Sequence, residues 1–141
     1  MEDKGSNNSL KGGEFLIKDT KANEVFIPEE FTEEQKMIAD SCKDFLQQEI
    51  WPNLDKIDKQ EEGLTVELLD KAAQLGLLGL NIPEQYGGFE KDFVTGMLST
   101  EAIGSGHSFA VSIAAHTGIG TLPILYYGTF SYTHLRAHET G

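Results

Sequence analysis

Four histidines and several glycine pairs are the first residues whose types and spacing could carry chemistry. His107 and His116 stand nine apart, whereas two ligands on one helix face need i, i+4 spacing. His134 and His138 have that spacing, but the tail around them holds one carboxylate. No metal site is expected. Gly104-Ser-Gly106 and Gly118-Ile-Gly120 could suggest a phosphate cradle. Neither follows a strand pattern, and neither extends to GxGxxG or to a Walker Lys-Ser/Thr. Helix ends and close backbone approach are their expected roles. Glu101 is the acid most surrounded by apolar neighbours. Burial would raise its pKa, yet a structural carboxylate is expected there rather than a catalytic base. Ser-His and Cys-His nucleophile arrangements have no signature. No catalytic and no cofactor-binding residue is assigned.

A stripe of small residues is more specific. Ala110, Ala114, Ala115, Gly118 and Gly120 lie along one helix and its exit. Small side chains let something approach closely. Two readings stay open: another helix, or a long, thin apolar ligand.

The elements that position these residues read as helices. Thr32 opens the first, with Thr-Glu-Glu-Gln forming a capping box to Gln35. Ile38, Cys42, Phe45, Leu46 and Ile50 follow helical spacing. Trp51-Pro52 predicts a kink or restart, because proline removes a backbone donor. Thr65 starts the second helix, with Val66, Leu68, Leu69, Ala72, Ala73 and Leu75 as its expected buried stripe. Gly76 ends it, and Leu77 to Ile82 should run extended, pinned to a core by Leu77, Leu78, Leu80 and Ile82. Tyr86-Gly87-Gly88 predicts a turn. Phe93, Val94, Met97, Leu98, Glu101 and Ala102 form a third helix. Ser108 caps a fourth, running to about Thr117, and Thr121 caps a fifth that stops at Gly128. No strand pattern appears. The fold class is all-α: a bundle of about five helices with an extended N-terminal arm. The arm, residues 1–24, carries Phe15-Leu16-Ile17, followed by Val25-Phe26-Ile27. These are read as two hydrophobic tags pressed onto the domain or a partner. The helical domain covers 25–129 and a non-native-looking tail 130–141. The tail lacks periodicity and resembles translated adapter read-through, so the chain is expected to be a truncated fragment.

Composition limits the partners. With 23 acidic against 11 basic residues the net charge is −12. Nucleic acid is therefore not an expected partner, since its binding needs clustered Lys and Arg. The apolar runs fall short of a bilayer span, so no transmembrane segment is expected. Cys42 is the sole cysteine, which rules out an intrachain disulfide and suits a buried helix position. The reducing cytosol is compatible, and a cytoplasmic location is expected.

Three motifs in order carry a resemblance. Leu68-Leu69-x-x-Ala72-x-x-Leu75-Gly-Leu-Leu-Gly-Leu-Asn-Ile-Pro-Glu-Gln-Tyr-Gly-Gly is followed by Thr100-Glu-Ala-Ile-Gly. Ala114-Ala-His-Thr-Gly-Ile-Gly-Thr-Leu-Pro-Ile-Leu-Tyr-Tyr-Gly-Thr comes last. Together they resemble the N-terminal helical domain of acyl-CoA dehydrogenases, from residue 11 to about 129. The Lys11-Gly-Gly-Glu-Phe-Leu-Ile stretch is similar to the long- and very-long-chain bacterial branch.

The resemblance implies α,β-dehydrogenation of fatty acyl-CoA thioesters in β-oxidation. It implies FAD as hydride acceptor, electron-transfer flavoprotein as redox partner and a homo-oligomeric full-length enzyme. In the family the catalytic glutamate and most FAD contacts lie beyond the N-terminal domain, so this chain alone is expected to be inactive. By match to the family pattern, Ala114, Ala115, His116, Gly118 and Ile119 would form a wall of the acyl pocket. A medium-chain relative carries a larger acidic residue where Ala115 stands; a methyl there favours longer chains. An acyl-CoA oxidase-like flavoenzyme would share the domain, and a stand-alone helical interaction module is the alternative outside enzymes.

Overall fold

The computed structural model describes residue 10 and residues 12–128. The predicted tail, 130–141, lies outside the described residues. The chain divides into two compact units at residues 33 and 34.

In the first unit the described residues do not form a fully extended arm. They make three single 3-10 turns, Glu14–Leu16, Ala22–Glu24 and Pro28–Glu30. Carboxylates close two of them: Glu24 accepts from the Lys21 amide and Glu30 from the Ile27 amide, both at 3.0 Å. Phe26 and Phe31 stack tilted, with ring centroids 5.6 Å apart. Phe15, Leu16 and Ile17 are all exposed.

The second unit is helical. α1 (Glu33–Phe45) passes into a π turn (Leu46–Ile50), a 3-10 turn (Trp51–Asn53) and α2 (Leu54–Asp58). The pitch widens from Leu46 and tightens at Trp51-Pro52, where the proline lacks a backbone donor. α3 (Leu64–Gln74) and α4 (Phe93–Ile103) follow. α5 (Ser108–Ala114), a π turn (Ala115–Gly120) and α6 (Leu122–Tyr127) complete the described chain. No strand occurs among the described residues.

Cys42, Phe45, Leu46, Ile50, Ile57, Leu68, Ala72, Leu77, Ile103, Phe109 and Ile113 form one core. Burial pushes the Cys42 thiol above its ordinary range, with a hydrogen bond to Ser99 partly opposing the shift. Phe45 and Phe109 meet at 5.9 Å between centroids, a tilted aromatic contact joining α1 to α5.

Three expectations need correction. In α3 the inward residues are Leu64, Leu68 and Ala72, with Leu69 beside them, while Val66, Ala73 and Leu75 face solvent. The i, i+4, i+8 row sets the face, and Val66 lies almost opposite Leu68 around the helix. In α4 the buried row is Thr95, Ser99 and Ile103, whereas Phe93 and Met97 are exposed. Burying two hydroxyls is tolerated because both are bonded: Thr95 Oγ1 donates to Asp92 and Ser99 Oγ to the Thr95 carbonyl. Glu101 is likewise exposed rather than enclosed. Finally, the predicted fourth and fifth helices form one continuous run. Ser108 caps nothing; its hydroxyl bonds Asp58 at 2.9 Å. Thr121 caps nothing either, and the chain stays helical through Gly118 and Gly120.

That fusion also revises the expected apolar lengths. Ser108–Tyr127 is 20 residues long and contains an 18-residue stretch of mean hydropathy 1.4, long and apolar enough by length and composition to cross a membrane. Only 11% of that stretch is buried.

The α3–α4 link confirms Gly76 as a helix stop, with φ +78°. Its amide donates to the Ala73 carbonyl at 2.8 Å, and the Leu77 amide to Ala72 at 3.0 Å, a Schellman motif. Beyond it the chain turns tightly instead of running extended. The Gly79 amide bonds Gly76 and the Ile82 amide bonds Gly79. The carbonyls of Gly79, Leu80 and Ile82 accept from Phe89, Lys91 and Glu90, so three carbonyls of this stretch are satisfied by the returning chain. Leu77 and Leu80 are buried, as the apolar pattern requires.

Asp92 is the cap that sequence reading missed. Its carboxylate accepts from the Thr95 amide at 2.7 Å, the Thr95 hydroxyl at 2.6 Å and the Gln35 side-chain amide at 3.0 Å. Lys91 reaches Glu34 at 2.6 Å, so two contacts hold the start of α1 beside the start of α4. The Thr95 bonds, seconded by Gln35 and the Lys91 charge, hold the Asp92 pKa below the ordinary aspartate value. A depressed folded-state pKa makes this stabilisation fully present above the unfolded value and lost as pH falls through the folded one. Asp92→Ala should therefore cost about 1 kcal/mol at neutral pH, in the range of a lost N-cap. The deficit relative to wild type should shrink below pH ~4, as read from urea midpoints across a pH series.

Candidate functional site

The five residues proposed as an acyl wall come together on the α5–π–α6 run. Ala114, Ala115 and His116 are exposed, Gly118 is half-buried and Ile119 is 83% exposed. α5 presents its opposite side inward: Phe109 and Ile113 are buried. Val111 is 70% exposed and lies one turn before Ala115. It extends the outward face, and i, i+4 spacing from Ala115 was the signal that could have found it.

Among the described residues, no close approach explains Gly118. It lies inside a helical segment without a positive φ, and a Cβ there would meet nothing within 4 Å. A glycine inside a helix costs about 1 kcal/mol relative to alanine. Gly106 differs: its Cβ would press on the Ile103 carbonyl oxygen and Leu46 Cδ2, both at 3.0 Å. So close approach explains Gly106, as expected, but not Gly118. The His116 side chain is exposed, and its backbone carbonyl accepts from Thr121 Oγ1 at 2.6 Å. The other described histidine, His107, takes φ +53° at the turn into α5.

Two clefts lie elsewhere. One of about 540 Å³ runs between α1 and α4, with Lys43, Trp51, Leu98 and Glu101 among its lining residues. The other, about 470 Å³, lies between α1 and α3 with Asp44, Glu49, Lys71 and Leu75. A dinucleotide needs donors for two phosphates. Lys43 is paired with Asp40 at 3.0 Å. Lys71 is held by Glu49 at 2.8 Å and Glu67 at 3.1 Å, and these bonds raise its pKa. The remaining charges lining the clefts are carboxylates. Neither cleft fits a flavin dinucleotide.

What the outward face can do is steric and apolar. It offers a methyl, a glycine and two branched aliphatic side chains in a row, with the exposed His116 imidazole beside them. The sequence profile described as "Acyl-CoA dehydrogenase, N-terminal domain" matches residues 32–131. This chain belongs to that family.

The acyl-CoA dehydrogenase domain has relatives of known length. A probable acyl-CoA dehydrogenase of Bacillus subtilis (strain 168) is 44% identical over 119 residues, covering 84% of this chain and 20% of the relative. The short-chain specific mitochondrial acyl-CoA dehydrogenase of Bos taurus is 29% identical over 106 residues, covering 74% and 26%. A crystal structure of the Bacillus anthracis acyl-CoA dehydrogenase complexed with FAD superposes with a TM-score of 0.81 at 40% identity. That match covers 88% of this chain and 22% of the other. The chain thus spans between a fifth and about a quarter of the length of these relatives.

Proposed function

We propose that this domain forms part of an FAD-dependent acyl-CoA dehydrogenase. The enzyme would remove two hydrogens from the α and β carbons of a fatty acyl-CoA, as in β-oxidation. Within it, Val111, Ala114, Ala115, His116, Gly118 and Ile119 line the distal acyl slot. The observation that carries this reading is Gly118: a costly helical glycine, with open space beside it, on an exposed apolar face. Its use lies outside the domain's own packing, and an acyl chain needs such a bare strip of backbone. The contribution is to exclude water and set slot depth, with each buried methylene worth about 0.8 kcal/mol.

FAD is proposed for the whole enzyme because the Bacillus anthracis relative binds it. The described residues do not hold it, and no step of the chemistry falls to them. Electron-transfer flavoprotein as acceptor, a homo-oligomeric state, a preference for long chains and a cytoplasmic location complete the proposal. The 141-residue chain alone is proposed to be inactive: purified, it should be colourless and show no turnover of acyl-CoA with an artificial electron acceptor.

Gly118→Ala tests the reading. In the isolated domain it should raise stability by about 0.5–1 kcal/mol, since the helix gains and nothing clashes. In the enzyme it should lower kcat/KM for long-chain acyl-CoA. Unchanged turnover beside the raised stability would remove the ligand from the account.

A further inference from the structure

We propose that Thr121 is a positioning residue whose hydroxyl holds the Ala115–Gly120 π turn and so sets where Ile119 stands relative to Ala115 along the acyl wall. The inference rests on the wall reading above. Five other hydroxyls in these helices bond back four residues: Ser41 to Met37, Ser99 to Thr95, Thr100 to Gly96, Ser112 to Ser108 and Thr117 to Ile113. Thr121 Oγ1 instead reaches back five, to the His116 carbonyl, at 2.6 Å. Its own amide donates to Gly118.

The hydroxyl therefore serves the widened pitch rather than the α-helix. A π turn accommodates about one extra residue. Reverting to α geometry would rotate the downstream helix by about 100° relative to α5. Ile119, inside the turn, would move by less than that, from between Val111 and Ala115 to the far side of Ala115. Gly118 and Gly120 make the segment a weak α-helix former, so one hydrogen bond can decide between the two pitches.

Thr121→Val removes the hydroxyl at nearly constant shape, and Thr121→Ser keeps it. In the 141-residue chain, amide exchange and carbonyl shifts by NMR report the turn. Thr121→Val should speed exchange at residues 117–121 about tenfold, the scale of one net hydrogen bond. Thr121→Ser should match wild type, and α3 amides should not change. Unaltered exchange in Thr121→Val overturns the lock, whatever the function. In the enzyme carrying the domain, Thr121→Val should raise KM for long-chain acyl-CoA more than it lowers kcat. A loosened turn with an unchanged chain-length profile overturns the positioning role. Absence of acyl-CoA turnover by the wild-type enzyme overturns the wall reading and the positioning role with it, while the exchange result stands separately.

Discussion

Phe109→Ala is expected to cost about 3–5 kcal/mol, a large share of the stability of a domain this size. Phe109 is fully buried, at 0% exposure, and is the bulkiest of the fully buried side chains. It packs on Phe45 of α1, and α5 also contacts α2 and α3. Truncation leaves a cavity where three helices converge on α5, and the surrounding core cannot collapse to fill it. Urea denaturation should show the loss, and Phe109→Leu should recover more than half of it. The consequence reaches the wall, because Phe109 and Ile113 anchor the inner side of the helix whose outer side carries Val111 and Ala115. A loss below 1 kcal/mol would mean that α5 is not held by this contact.

Gly88→Ala should cost about 3 kcal/mol, at the upper end for overpacking. A Cβ at Gly88 would overlap the Ile82 carbonyl oxygen and come within 2.5 Å of the carbonyl carbon and of Ile82 Cβ. Those are largely backbone atoms, fixed because the Ile82 carbonyl accepts from the Glu90 amide at 2.9 Å. Gly87 provides the control. It takes φ +82°, but a Cβ there meets nothing within 4 Å. Gly87→Ala should therefore cost only about 1 kcal/mol, from backbone strain. Thermal melts of the two variants compare the effects directly, and equal midpoints would contradict the close approach at Gly88.

These positions show which parts of the fold the sequence announces. The Gly76 stop and the Tyr86-Gly87-Gly88 turn are legible because glycine punctuates locally and each needs only neighbours, whereas the approach of Gly88 to Ile82 depends on the tight path of residues 79–82 and is not. The core row Cys42, Phe45, Leu46 and Ile50 is legible from helical period alone. The α4 face is not. Its buried hydroxyls at Thr95 and Ser99 depend on Asp92 and on carbonyls within the helix, while the large apolar Phe93 and Met97 lie on the outer side. The fusion of α5 with α6 is hidden for the same kind of reason. Gly118 and Gly120 look like punctuation, yet the chain stays helical through both. The hydroxyl of Thr121 adds a bond across the wider pitch. The wall residues come from resemblance; periodicity alone left a helix and an apolar ligand as open alternatives.

The measurement that bears most directly on the central claim is the acyl chain-length profile of the enzyme carrying Ala115→Glu. Ala115 is exposed on the outer face, so the larger side chain does not disturb the core and the variant should fold with an unchanged melting midpoint. In the slot a glutamate removes the depth of two or three methylenes, each worth about 0.8 kcal/mol. The account predicts that kcat/KM for long-chain acyl-CoA falls by tenfold or more relative to medium-chain acyl-CoA, with the optimum moving to shorter chains. A profile identical to wild type, in a protein that folds and turns over substrate, would contradict the placement of this face in the acyl slot.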